Sequence, residues 1–289
     1  MTGGRRPSNA RRRELARTKA QQQREAQQRR DRRRRIALQA SIGAVLIAVV
    51  VVITLVLTKA QPPVTAIPQH MPDGGITISG PDLQAVRGPA ATSTTSAGSR
   101  TSFEGKVLIQ EWEDFGCPAC QRFEQTNAAQ IEQLVRSGAA VVQYFPVAIL
   151  DNRFAPGDDY STRAANAAAA VANWSPDAYR AFHAALFRPG VQPAEGGAGL
   201  GDDRLVQIAQ QVGAGHLPEI RRAVHDRRFT GWIAARTRDF THNRGPLAAV
   251  DFPTTWQGPS TPTVLVDGHY YDGTTDFGAF VTGTAGSTG

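Results

Sequence analysis

The sequence predicts an α/β domain with an inserted helical subdomain, preceded by a single transmembrane helix and a basic tail. Three features predict it. An apolar run, Val107, Leu108 and Ile109, leads into Cys117-Pro-Ala-Cys120 and a stretch of helical periodicity, and a second apolar run begins at Ala140. Strand, helix and strand at this spacing make a βαβ unit with parallel strands. Residues 156–245 then read as helical before strand signals return at 263–271, and residues 36–58 carry no charge at all.

Taken in order, the chain first shows where its charge lies. Residues 1–35 hold 14 of the 32 Lys+Arg and 3 of the 25 Asp+Glu, whereas the rest carries 18 basic and 22 acidic residues. The formal net charge of +7 therefore belongs to the tail, and the folded part is mildly acidic. No basic face for nucleic acid is expected there. The tail is nearly free of large apolar residues and cannot build a core, so it is expected to be a disordered cytoplasmic segment. A role for it in signalling across the membrane is a further reading.

Residues 36–58 are 23 residues whose only polar members are Gln39, Ser41, Thr54 and Thr58. At about 1.5 Å per residue they span the ~30 Å hydrocarbon core with some tilt. Arginines 32–35 crowd one end and Lys59 stands alone at the other, which puts the N-terminus in the cytoplasm. The run is too long for a signal-peptide core. The expectation is an uncleaved signal anchor in the cell membrane, with everything beyond Lys59 extracytoplasmic.

Residues 59–104 read as a linker, stiffened by Pro62, Pro63, Pro68 and Pro72, with a first edge strand at 76–79 and a flexible Ala/Thr/Ser/Gly loop at 90–102. The main domain is expected at 105–283. Its central helix follows the cysteines, with Phe123, Ile131, Leu134 and Val135 on one side. A strand from Ala140 ends at Pro146. In the insert, alanine-dense 164–172 comes first, then Tyr179, Phe182, Leu186 and Phe187 on one face. Leu205, Ile208 and Val212 follow a cap at Asp202, and 219–243 supports one or two more helices. Thr263-Val-Leu-Val266, Asp267-Gly268 and His269-Tyr-Tyr271 form a hairpin. A short helix over 276–281 closes the domain, and 284–289 is a flexible tail.

Cys117 falls near the N-cap of the central helix, and Pro118 suits its first turn because the N–H it lacks would be unpaired anyway. Free N–H groups and the positive end of the helix dipole then favour thiolate at Cys117. Cys120 lies one turn on and can close a short disulfide. These are the only two cysteines, and the six histidines are scattered. Half of a zinc site and an inert structural disulfide are the alternatives, but structural zinc needs four ligands. A redox pair fits best, and it needs no metal and no cofactor.

Glu111-Trp-Glu-Asp-Phe-Gly-Cys-Pro-Ala-Cys120, Tyr144-Phe-Pro146 and Ser260-Thr-Pro-Thr263 together resemble the DsbA family, a thioredoxin fold with a helical insert, over roughly residues 70–283. The resemblance implies a protein thiol–disulfide oxidoreductase. It makes Cys117 the exposed nucleophile and Cys120 the partner sulfur. It makes Pro262 a cis-proline and Thr261 the backbone beside it that an extended substrate meets, with Pro118 and Ala119 completing the substrate-facing surface. It also makes Glu111 a buried acid that relays a proton for the inner cysteine. The sequence departs from the family in having Ser260 where glycine is usual, after the irregular run 247–259, and Pro-Ala where Pro-His is found in the strongest oxidants.

Glu113 and Asp114 read as surface charges whose field opposes the thiolate. Trp112 and Phe115 read as packing or groove residues, and His183 as a structural histidine on an apolar helix. The function expected is a membrane-anchored dithiol oxidase that forms disulfides in exported cysteine-containing proteins and is regenerated by a membrane redox partner. A reductase or isomerase fed by such a partner is the enzymatic alternative, and a non-catalytic thioredoxin-fold binding module the alternative of another class.

Overall fold

The computed structural model describes residues 66–87 except 72, then 103 and 105–286 except 255. The expected basic tail 1–35, the expected transmembrane segment 36–58, the expected loop over 90–102 and residues 287–289 lie outside the described residues. Among the described residues, no helix is long and apolar enough to cross a membrane.

One six-stranded sheet organises the domain. Its strands are β1 (Ile76–Ser79), β2 (Gln84–Ala85), β3 (Val107–Glu113), β4 (Ala140–Pro146), β5 (Thr263–Val266) and β6 (His269–Tyr270). Their order across the sheet is β2-β1-β4-β3-β5-β6. β3 and β4 run parallel, with Val107 opposite Ala140 and Glu113 opposite Pro146. The helix α1 (Pro118–Arg136) makes the crossover between them. β5 is antiparallel to β3 and carries Thr263 opposite Trp112, which brings the Thr261–Pro262 segment to the same end of the sheet as the cysteines. Asp267 (φ 48°) and Gly268 (φ 81°) turn the β5–β6 hairpin in the left-handed region, as an Asp-Gly turn between right-twisted strands requires.

Strand alternation decides what each face holds. Ile109 and Tyr144 face α1 and the insert, while Trp112 stacks on Phe145 on the other face, with ring centroids 4.4 Å apart, in a cluster with Phe240, Leu247 and Leu265. Glu111 and Glu113 have the parity of Ile109, so both carboxyl groups project under α1. They are buried there.

The insert comprises α2 (Tyr160–Trp174), α3 (Tyr179–Leu186), α4 (Asp202–Gln211), α5 (Leu217–His225) and α6 (Thr230–Thr241). Buried alanines 164, 165 and 167–170 let α2 pack closely against α5 and α6. The closing helix α7 runs Phe277–Gly286.

Three expectations change. The strand at 76–79 is not at the edge, because β2 pairs outside it and the sheet begins well upstream of residue 105. Gly201, not Asp202, caps α4. The Asp202 carboxylate accepts instead from Arg227 at 2.8 Å and Arg163 at 3.3 Å. The closing helix passes 281 and takes in 284–286 of the expected tail, with the Thr282 and Thr284 hydroxyls bonding back to Gly278 O and Phe280 O.

Candidate active site

Cys117 is the N-cap of α1, with extended backbone and Pro118 in the first turn. The two cysteines are free thiols, and both are buried, Cys117 at 6% exposure instead of the exposed sulfur expected and Cys120 at 1%, yet they are unequal. Cys117 Sγ lies 3.2 Å from the carbonyl of Thr261, across a cis Thr261–Pro262 bond. A hydrogen bond from Cys120, then one from the Thr261 side chain and the N–H groups of Cys120 and Ala119, hold the Cys117 thiol down to about 6 against the opposing effect of burial. Cys120 sits deeper in the same turn, and burial, with the hydrogen bond it gives Cys117, pushes its thiol well above the ordinary range. At neutral pH one sulfur is an anion and the other keeps its proton.

The loop bearing Cys117 is fixed from two sides. Asp114 Oδ1 accepts from Gly116 N at 2.8 Å, and Oδ2 accepts from Ile149 N and Leu150 N at 2.8 and 3.0 Å. Burial still lifts the Asp114 carboxyl to about 6. Gln192, from the loop after α3, donates its amide to Phe115 O and Cys117 O, both at 3.0 Å. Gly116 leaves room for Phe154, whose ring a Cβ would meet at 2.6 Å.

Beneath the cysteines lies a polar cluster within the core. Glu111 and Glu113 come from β3, Glu124 from α1, Arg180 and His183 from α3, and all are buried. Arg180 can only donate, so His183 Nδ1 accepts from it at 3.0 Å. His183 Nε2–H therefore donates to the Glu113 carboxyl at 2.6 Å. Burial and Arg180 hold His183 well below its usual range, so the imidazole is neutral. Arg180 also reaches Glu124 at 3.4 Å and half-buried Glu132 at 3.1 Å. Burial, then the field of Glu124, raises Glu111 and Glu113 well above the carboxylate range, and Glu111 hydrogen-bonds to Glu124. Glu113, Glu124 and His183 offer ligand atoms within 4.8 Å of one another, and Arg180 already sets a positive charge against Glu124 and His183 Nδ1.

The structure brings Cys117, Pro118, Ala119, Cys120, Thr261 and Pro262 together at one end of the sheet, with Glu111 deeper on β3. Glu113 and Asp114 are not surface charges. The alternation that buries Ile109 buries Glu113, and three N–H donors hold Asp114 inside. Sequence reasoning missed Glu124, Arg180, His183 and Gln192 as neighbours of the site. For Glu124 a signal existed: it lies four residues after Cys120, on the same face of α1. Phe115 packs at 5.3 Å on Phe187, and Trp112 on the opposite sheet face is a packing residue.

The thioredoxin family model matches residues 102–282. Among solved structures, the reduced form of the disulfide bond oxidoreductase DsbG from Mycobacterium tuberculosis is 26% identical, with a TM-score of 0.53, covering 75% of this chain and 88% of that one. Oxidised DsbA from the same organism is 29% identical, TM-score 0.51, covering 74% and 91%. The thiol-disulfide oxidoreductase MdbA from Corynebacterium diphtheriae, at 21% identity and TM-score 0.50 over 79% and 97%, shares the fold. Among curated proteins, the serine/threonine-protein kinase PknE of M. tuberculosis is 36% identical over 100 residues, or 34% of this chain. The chain spans 18% of the length of the curated relatives it matches.

Proposed function

The chain belongs to the thioredoxin family, among its DsbA-like thiol–disulfide oxidoreductases, and from that membership we propose that it is a membrane-anchored dithiol oxidase of exported proteins. The observation that carries this reading is the inequality of the two sulfurs, with Cys117 held down to about 6 and Cys120 pushed well above the ordinary range. A stabilised Cys117 thiolate favours the reduced state, which makes the disulfide the better oxidant and Cys117 the better leaving group.

In the proposed cycle a substrate thiolate attacks Cys117 Sγ of the disulfide, the S–S bond breaks, and its electron pair passes to Cys120 Sγ. A second substrate thiolate then attacks the substrate sulfur of the mixed disulfide and expels Cys117 as thiolate. The substrate leaves oxidised and the Cys117/Cys120 pair reduced, to be reoxidised by a membrane redox partner. The backbone of Thr261, with Pro262, Pro118 and Ala119 around the sulfur, forms the surface that receives an extended substrate segment. The resemblance puts the relay acid at Glu111, which in this chain is hydrogen-bonded to Glu124.

The uncharged stretch 36–58 and the arginines before it support a single-pass anchor with the N-terminus cytoplasmic and the redox domain outside, where oxidases act on emerging chains. Two assays on the full chain test the proposal. A reporter active only outside the cytoplasm, fused after residue 60, is expected to work, and the purified oxidised protein is expected to oxidise a reduced two-cysteine peptide stoichiometrically. Activity of a cytoplasm-only reporter at that junction contradicts the topology. Peptide oxidation no faster than the uncatalysed reaction contradicts the oxidase and favours the reductase or the binding module.

A further inference from the structure

Disulfide chemistry at a buried sulfur raises a question of protons. When the Cys117–Cys120 bond breaks, Cys120 receives an electron pair inside the core, where an anion is costly. When the bond re-forms, the Cys120 thiol must lose a proton that solvent cannot readily take. Cys120 is 1% exposed.

The groups near it are not equivalent. Glu111 and Glu113 share one face of β3, but Glu113 lies two residues, about 6.7 Å, nearer the end of the strand from which the cysteines follow. Glu111 is hydrogen-bonded to Glu124, whereas Glu113 is held by His183 at 2.6 Å. His183 Nε2 stands 2.6 Å from both Glu113 oxygens, and Oε1 makes no other hydrogen bond among the described residues. A charge on Glu113 adds to the burial that pushes the Cys120 thiol up.

Resting on the oxidoreductase reading, we propose that Glu113 is the proton donor and acceptor for Cys120, with His183 as the positioning residue that holds it. On cleavage of the disulfide, Cys120 leaves with the electron pair and takes the Glu113 proton. The Glu113 carboxylate left behind is met by the His183 Nε2–H, with Arg180 behind the imidazole. On reoxidation Glu113 takes the Cys120 proton, Cys120 Sγ attacks Cys117 Sγ of the mixed disulfide, and the partner's sulfur leaves with the bonding pair.

The surroundings set when Glu113 can do this. Glu111 and Asp114 on β3 and Glu124 on α1 oppose its ionisation, and Arg180 favours it. The hydroxyls of Tyr144 and Tyr179 lie in the same cluster and make no hydrogen bond among the described residues. Both catalytic directions thus depend on α3, which belongs to the insert and not to the βαβ unit.

The test uses the reduced full chain and oxidised glutathione. Cys117 attacks glutathione disulfide, and Cys120 then resolves the mixed disulfide. In Glu113→Gln the first step is expected to keep its rate, while resolution slows about 100-fold, the usual share of general acid–base catalysis. The residual rate should climb about tenfold per pH unit, following the free Cys120 thiolate. His183→Leu should slow resolution similarly, and His183→Gln, whose amide can still donate to Glu113, should restore much of it. Should Glu113→Gln fail to fold, infrared difference spectra of the wild type between its disulfide form and the Cys117–glutathione mixed disulfide are expected to show one carboxyl changing protonation. No carboxyl change, or a Glu113→Gln chain that resolves normally while Glu111→Gln does not, overturns the assignment alone. A wild type that forms no mixed disulfide overturns the oxidoreductase reading and this inference with it.

Discussion

Cys117→Ser is expected to abolish disulfide exchange, while Cys120→Ser is expected to accumulate mixed disulfides with substrate. The first removes the sulfur that stands at the helix N-cap facing Thr261, and a serine hydroxyl there cannot form the bond. The second leaves that sulfur in place but removes the thiol that would release a captured substrate. Adducts should appear as bands on non-reducing gels that reductant dissolves. Both side chains are small and buried, so the exchange of sulfur for oxygen is expected to leave the fold intact. Adducts captured by Cys117→Ser instead would reverse the two roles.

Arg180→Met is expected to cost about 3–5 kcal/mol of stability at neutral pH, the price of breaking a buried ion pair on one side. Arg180 is 4% exposed. It serves Glu124, Glu132 and His183 at 3.4, 3.1 and 3.0 Å and lies over the Tyr144 ring. Methionine fills similar volume without charge, so the loss reports on the stranded carboxylates more than on a cavity. The pH dependence has a definite sign. Glu111, Glu113 and Glu124 are all raised in the folded chain. A carboxyl raised on folding binds more protons folded than unfolded between its two pKa values, so stability falls as pH rises through that window. Without Arg180 the folded values rise further, so the penalty should shrink between pH 7 and pH 5. Urea midpoints of both proteins at the two pH values measure it, and a pH-independent penalty would point to lost packing instead.

The redox centre was legible because its signals are local. Apolar strand, N-cap cysteine, proline in the first turn and the Asp-Gly hairpin each need only a few neighbouring residues. The cluster beneath was not, because burying Glu113 depends on His183, 70 residues away, and Glu124 on Arg180, 56 residues away. Without those partners a carboxylate belongs at the surface, which is where the sequence alone puts Glu113. Asp114 resembles it, since its donors Ile149 and Leu150 follow β4. Asp202 has the residue type of a cap but is drawn off by Arg163 and Arg227, an arrangement set by the packing of α2 against α5. The last turn of α7 is made of Gly, Thr and Ala, weak signals for any element.

The account rests on Cys117 being a thiolate at neutral pH. A pH titration of thiolate absorbance in the reduced chain, with Cys117→Ser as the blank, measures that directly. A single transition near pH 6, absent from Cys117→Ser and with no second sulfur titrating until far higher pH, is the result expected. A Cys117 transition near the free-cysteine value of about 8.5 would contradict it, since the reduced state would then gain nothing from the helix N-terminus and the disulfide would lose its reason to oxidise.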